Sequence, residues 1–194
     1  MSTLDITQPV AEPVTVAQAR LACRLDVTGD VTYDTAVDDE LKRQISAARE
    51  LATTHTQASI MPMTWELSLD DFPSDADIEL LYPRIISITS VKYISALTGL
   101  EVTLAANQYM LDSQRYRAWL LPAAGVTWPA TADVANAVKV RYVAGFADAA
   151  SVPAKVKQWI LSVVRYMREG GCDGAGEIPW DFNASLLADI DTHR

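Results

Sequence analysis

Cysteine and histidine are scarce in this chain, two of each in 194 residues. Cys23 and Cys172 stand too far apart to form a disulfide framework or, with so few histidines, a zinc site, so a reducing compartment is expected. Basic residues are the minority charge, with 16 Lys and Arg against 25 Asp and Glu and a formal net charge of -9. That balance argues against a protein that grips nucleic acid by releasing counterions from many phosphates. No apolar run approaches the ~18 residues needed to cross a bilayer, and Met1 to Pro9 lacks the basic start and apolar stretch of a signal peptide. No membrane partner and a cytoplasmic site of synthesis are therefore expected. What is present, 49% hydrophobic and 21% charged residues, supplies a real core in one or two domains and excludes disorder, collagen and coiled coil.

Helix signals open and close the chain. Thr15 with Gln18 forms a capping-box pattern before a short helix to about Cys23, and Thr35 with Asp38 repeats it before a longer helix to about His55. At 100° per residue Val37, Leu41, Ile45, Ala48 and Ala52 share one stripe of that second helix. Asp38 and Lys42, and Asp39 and Arg43, are spaced as i,i+4 ion pairs on the other side. Ser151 and Pro153 start a further helix whose apolar face holds Val156, Trp159, Ile160, Val163 and Met167, ending at Gly170 and Gly171. A glycine-rich stretch follows, and Pro179 to Ile190 is expected to form a short final helix.

Between the helices the hydrophobic period falls from 3.6 to 2. Trp65, Leu67 and Leu69 alternate with polar residues, as do Val138, Val140 and Tyr142. Parity breaks before Val91, which predicts a bulge at Thr89 and Ser90. Short apolar segments at Ile78 to Tyr82, Glu101 to Leu104, Tyr109 to Leu111 and Tyr116 to Leu121 complete about six strands, joined by turns short enough for an antiparallel meander. The expected class is α+β, with helices at both termini and a central antiparallel β insertion. Segments 1–62, 63–146 and 147–194 mark its parts.

Catalytic patterns are wanting. His55 falls on the apolar stripe at the C-terminal end of its helix and His193 at the penultimate position, neither beside a nucleophile and an orienting group. Acidic clusters at Asp38, Asp39 and Glu40 and at Asp70 and Asp71 fall in a first helical turn and at a strand-closing turn, where solvated carboxylates are expected. A small hydrolase using them is the minor alternative. The glycines around Gly174 lack the Lys-Ser/Thr ending of a phosphate loop, and the nearby acids do not make a calcium loop. Trp119 and Trp128 beside Arg115 and Arg117 are expected in core and interface rather than as base-stacking platforms. No catalytic residue, cofactor or metal is assigned.

The order of segments is more informative than any one residue. Pro13 to Leu21, Asp38 to Leu41, Ile45 to Glu50, Met63 to Pro73, Ile86 to Tyr93, Tyr109 to Asp112, Trp128 with Pro129, Asn136 to Phe146 and Val152 to Ile160 together resemble the head-tail connector proteins of tailed phages, the small adaptor family. The resemblance implies a non-enzymatic virion or prophage component assembled in a bacterial cytoplasm. It implies a ring, often of twelve protomers, beneath the portal protein, with DNA passing through without specific binding and a neck or tail-completion protein as the next partner. A tail-completion or neck protein at another joint is the nearest alternative.

A ring gives the charge distribution a meaning. Residues 1–80 carry fifteen acids and five bases, residues 81–168 four acids and ten bases, and residues 169–194 six acids and one base. Opposite potentials on neighbouring protomers would fix register in a head-to-tail interface. Its candidates are Arg115, Arg117, Lys139, Arg141, Lys157, Arg165 and Arg168, facing Asp70 and Asp71 and the acidic helical end. Asp38, Asp39 and Glu40 are candidates to line a phosphate-repelling DNA channel. Trp180, Phe182, Leu186 and Leu187, beyond the glycine stretch, are candidates to dock on the portal or a neighbouring protomer.

Overall fold

The structure, a computed structural model, describes residues 2–74, 77–114, 117–169 and 187. Among these the chain forms helices α1 (Val16–Ala22), α2 (Val31–Thr56) and α3 (Ala154–Glu169). The strands are β1 (Ser2–Thr7), β2 (Met63–Leu69), β3 (Ile78–Glu79), β4 (Ile85–Ile94), β5 (Glu101–Thr103), β6 (Tyr109–Asp112), β7 (Trp119–Pro122) and β8 (Val138–Ala144). The α+β class is as expected. The elements gather into two units: a β unit of Met1–Pro9 with Pro62–Ala147, and a helical unit of Val10–Met61 with the chain from Asp148 onward.

The β unit holds a five-stranded sheet in the order β1-β2-β8-β4-β5 and a three-stranded sheet in the order β3-β7-β6, with every pairing antiparallel. Among the described residues seven strands fall within 63–146, in keeping with the about six expected, and the β1 segment adds an eighth. One expectation is corrected: the arrangement is no meander, because β8 lies between β2 and β4. Short turns permit pairing between neighbours in sequence, but β8 is a regular strand with Val138, Val140, Tyr142 and Ala144 all buried, and it takes long partners on both edges. The shorter β3, β6 and β7 then pair among themselves. Both sheets contribute to one core, in which Trp65 and Leu67 of β2, Ile78 of β3, Leu120 of β7 and Val140 of β8 are buried together.

The predicted bulge is present, since the β4–β8 register shifts between Ile88 and Ser90, and a second shift lies between Ile85 and Ser87. Chain reversal ahead of β4 uses left-handed backbone at Tyr82 (φ 62°) and Arg84 (φ 65°) on either side of Pro83. Three contacts hold this turn. The Tyr82 ring stacks on Trp65 at 3.7 Å, the Arg84 guanidinium lies 4.4 Å from the Phe146 ring centre, and the Tyr142 hydroxyl donates to the Leu81 carbonyl at 2.8 Å. Burial, with the nearby Tyr82 hydroxyl second, pushes the Tyr142 phenol well above its usual range.

In the helical unit Thr15 caps α1 as expected. Its hydroxyl accepts the Gln18 amide at 3.2 Å while the Gln18 side chain accepts the Thr15 amide at 2.8 Å. The second helix begins earlier than the Thr35 pattern predicts. Asp30 is its cap, with one carboxylate oxygen accepting the amides of Thr32 (2.9 Å) and Tyr33 (3.2 Å). Thr35 is therefore helical interior. The apolar stripe Val37, Leu41, Ile45, Ala48 and Ala52 is buried as expected, whereas His55, on the same face in the last turn of the helix, is exposed. On α3 Val156, Trp159, Ile160, Val163 and Val164 are buried. Ser151 and Asp148 exchange hydrogen bonds ahead of the helix, with the Ser151 amide 2.7 Å from the Asp148 carboxylate. The proposed final helix lies outside the described residues except for Leu187, which is buried.

Candidate assembly surfaces

The acidic triplet of α2 separates into two roles. Asp38 accepts from Arg20 Nε at 2.7 Å, and the same guanidinium donates to the carbonyls of Asp26 (3.1 Å) and Asp34 (3.0 Å). Arg20 is 8% exposed, so this side chain binds α1, the connecting turn and α2 together. Its hydrogen bond to Asp38 holds the guanidinium above even its usual range. The Asp34 carboxylate completes the corner by accepting the amides of Thr28 and Gly29. Burial draws Asp34 upward, but those amide bonds and the Arg20 charge outweigh it, and its carboxyl sits below the usual range.

Asp39 and Glu40 face solvent more openly. They pair at i,i+3 with Lys42 (2.8 Å) and Arg43, not at the i,i+4 spacing expected from the sequence. The difference arises because Asp38 is drawn to Arg20, which frees Lys42 for Asp39. Hydrogen bonds from Lys42 and Arg43 lower the two carboxyl groups respectively. A second arginine, Arg49, is 1% exposed and bonds Glu12 at 3.0 Å and Ser46 at 3.0 Å, fastening the segment ahead of α1 to α2. Neither buried arginine is legible as such in the sequence, where both occupy ordinary helical positions.

Several predicted interface bases already have partners in their own chain. Arg141 pairs with Glu66, directly opposite on β2, and Arg117 with Glu79 at 2.7 Å, and Arg165 with Glu169 at 2.8 Å. Arg115 lies outside the described residues. Lys139, Lys157 and Arg168 make no ion pair among the described residues. Lys139 stands opposite Ser68 on β2 and opposite another lysine, Lys92, on β4. Lys92 itself bonds Glu101 at 2.8 Å and lowers that carboxyl.

Asp70 and Asp71 act within the chain. Asp70 accepts the amide of Asn136 at 2.8 Å, and Asp71 accepts the Thr131 hydroxyl and the Phe72 amide, so the end of β2 is tied to the loop entering β8. Beside them Phe72 stacks on Trp128 with ring centres 4.7 Å apart. Of the four predicted docking residues, Trp180, Phe182 and Leu186 lie outside the described residues, and Leu187 is 1% exposed. Cys23 is a free, part-buried thiol raised mainly by burial, and Cys172 lies outside the described residues. Among the described residues no group of three His, Cys, Asp or Glu could hold a metal ion, and no helix is long and apolar enough to cross a membrane.

One surface went unpredicted. The turn between β4 and β5 carries Leu97 at 96% and Leu100 at 67% exposure, where turn chemistry ordinarily places polar side chains. Its signal in the sequence was a pair of leucines flanking Thr98 and Gly99.

No protein-family model matches the sequence, and no curated protein matches it. Solved structures do. A chain in the neck of an empty GTA particle computed with C6 symmetry is 20% identical, with a TM-score of 0.80, over 100% of this chain and 97% of that one. A chain in the virion of a native gene transfer agent particle is 21% identical with a TM-score of 0.73, and one in the neck of a native GTA particle computed with C12 symmetry is 22% identical with a TM-score of 0.69. Both cover 100% of this chain and 97% of theirs. At these identities the likeness establishes the fold, shared over the whole chain.

Proposed function

We propose that this protein is a structural component of a phage or phage-like particle, a head-tail adaptor that assembles as a ring of about twelve copies under the portal protein and receives a neck or tail-completion protein. The observation that carries the reading is the fold shared along the full chain with components of particles whose necks were computed with C6 and C12 symmetry. Two different patches meeting between successive copies generate such a cyclic ring. The protein acts in the virion after assembly in the host cytoplasm, requires no cofactor and performs no catalysis. Deleting its gene should leave DNA-filled heads and free tails that fail to join. Joined particles that still deliver DNA would overturn the assignment. A purified ring of this protein that binds tails but not the portal protein would favour a neck protein at another joint.

Charge guides closure in this reading through the bases without an ion pair among the described residues, Lys139, Lys157 and Arg168. Light scattering across a salt series is the measurement, and a ring indifferent to ionic strength would refute charge guidance. For the DNA channel, Asp39 and Glu40 are the usable candidates. Reversing Asp38 would break the Arg20 corner as well as change a lumen charge. Asp39→Lys with Glu40→Lys should leave rings intact and slow DNA delivery, and normal delivery would remove the lumen role. Docking by the C-terminal segment is tested with Trp180→Ala and Phe182→Ala, since truncation would also remove the buried Leu187. Loss of portal binding is expected.

A further inference from the structure

We propose that the β4–β5 turn of one copy seats Leu97 and Leu100 in the groove between α1 and α3 of the next copy, an inference that rests on the ring reading above. The turn is built to hold its shape. The Ser95 amide donates to the Leu100 carbonyl at 3.0 Å and the Gly99 amide to the Ser95 carbonyl at 2.8 Å, with Gly99 at φ 65°. Side chains add to this, the Leu97 amide meeting Ser95 Oγ and the Leu100 amide Thr98 Oγ1, both at 3.3 Å. From behind, the Ala96 amide bonds the Ala130 carbonyl at 3.1 Å and the Ala132 amide the Ile94 carbonyl at 2.8 Å. Two leucines on so constrained a turn lose little freedom on docking, which is what makes a preorganised anchor effective.

The helical unit offers the complement. A groove of about 390 Å³ runs between α1 and α3, with Leu21, Ala22 and Leu161 as apolar lining and Gln18, Gln158 and Arg165 as polar lining. Leu21 is 82% exposed, an apolar side chain with nothing over it among the described residues. Charge assigns the occupant. Asp133 follows directly after Ala132, which braces the leucine turn, and it is exposed without an ion-pair partner among the described residues. At the groove, Arg165 is held by Glu169 at 2.8 Å, and Arg168 acts with that pair on Cys23, the residue after Ala22, which leaves one positive charge in excess at that end. Arg168 has no ion pair among the described residues. An apolar knob beside an unpaired acid thus matches an apolar groove beside an unpaired base. Each surface occurs once per chain and the two differ, as a head-to-tail contact requires.

The test is disulfide crosslinking of assembled rings carrying Leu97→Cys and Leu161→Cys in a Cys23→Ser, Cys172→Ser background. Oxidation should give a ladder of covalent dimers, trimers and higher multimers on denaturing gels, with neither single variant giving more than monomer. Intact rings that yield only monomer, or a bridge closed within one chain, would overturn the contact. Failure to form rings at all would sink the ring reading, and this inference with it. Leu97→Asp with Leu100→Asp should weaken ring association roughly a hundredfold or more, while thermal unfolding of the protomer stays unchanged. Asp133→Arg and Arg168→Asp should each weaken association, and their combination should restore it. Unweakened association in the leucine variant, or no restoration in the charge swap, would count against the proposal.

Discussion

Tyr142→Phe tests how the β unit holds its left-handed turn. The ring of Tyr142 is fully buried at the centre of the five-stranded sheet, and its hydroxyl supplies a 2.8 Å hydrogen bond to the Leu81 carbonyl, next to Tyr82 at φ 62°. Phenylalanine keeps the ring packing and removes the donor. The bond itself contributes about 1 kcal/mol net, and the carbonyl left behind adds to the cost, though Leu81 is only part-buried and water recovers some of it. The expected loss is about 1–2 kcal/mol, which lowers the urea midpoint by about 0.5–1 M for a slope near 2 kcal/mol/M, with the slope unchanged. A pH arm checks the same environment. The folded phenol is held above its usual range while the unfolded phenol ionises near pH 10. This contribution to stability is therefore full below about pH 10 and is lost as pH rises from there toward the folded value. Hydrogen exchange at β8 amides localises both effects. A loss under about 0.3 kcal/mol would refute the role given to the bond, and tyrosinate absorbance from Tyr142 at an ordinary phenol pH in a still-folded protein would refute its burial.

Other perturbations probe the remaining surfaces. Thr15→Ala removes one half of the α1 capping box and should cost about 1 kcal/mol in thermal unfolding of the helical unit. Phe72→Ala removes a ring that is 7% exposed and stacked on Trp128, and should cost about 3 kcal/mol in the β unit, measured by the same urea titration. Lys139→Glu replaces a lysine that faces Lys92 with its opposite charge, so protomer stability should rise by about 0.2–1 kcal/mol while ring association falls. A parallel fall in both would place Lys139 in the protomer fold alone. Asp34, Asp39, Glu40, Glu101 and Asp148 all have carboxyl groups lowered in the folded chain, so their contribution is present above the usual carboxylate range, near pH 4, and is lost as pH falls through the lower folded values. Circular dichroism from pH 6 to pH 2 should show that loss starting near pH 4.

Periodicity made the cores legible and long-range choice hid the rest. The stripe from Val37 to Ala52 and the α3 face from Val156 to Val163 were visible because burial on a helix repeats every 3.6 residues. The alternation in β2 and β8 was visible for the matching reason. The start of α2 was misplaced by a local rule with two valid solutions. Thr35 and Asp30 both satisfy capping chemistry, and the Arg20 corner, which needs Asp34 and Asp38 on the same helix, favours the earlier start. Sheet order was hidden because no turn length states that β8 will insert between β2 and β4. The β4–β5 turn is legible as a turn from Thr98 and Gly99, but the exposure of Leu97 and Leu100 is no part of that turn signal.

The charge arithmetic shows the same gap between chain and space. Along the sequence the first eighty residues are strongly acidic and the following stretch basic, which suggested two opposed faces. Folding interleaves them. Glu66 of the acidic segment meets Arg141 of the basic one across a β ladder, Glu79 meets Arg117, and the acidic α2 shares its unit with the basic α3. Exposed pairs of this kind contribute little to stability individually, but each removes a charge from the set available to a neighbour. Among the described residues Lys139, Lys157, Arg168 and Asp133 make no ion pair, and these are the charges the proposed assembly would use. Salt dependence of ring formation should accordingly track those four positions. Neutralising the pairs Arg117 with Glu79, or Arg141 with Glu66, should change it little, because each pair is already closed within its own chain.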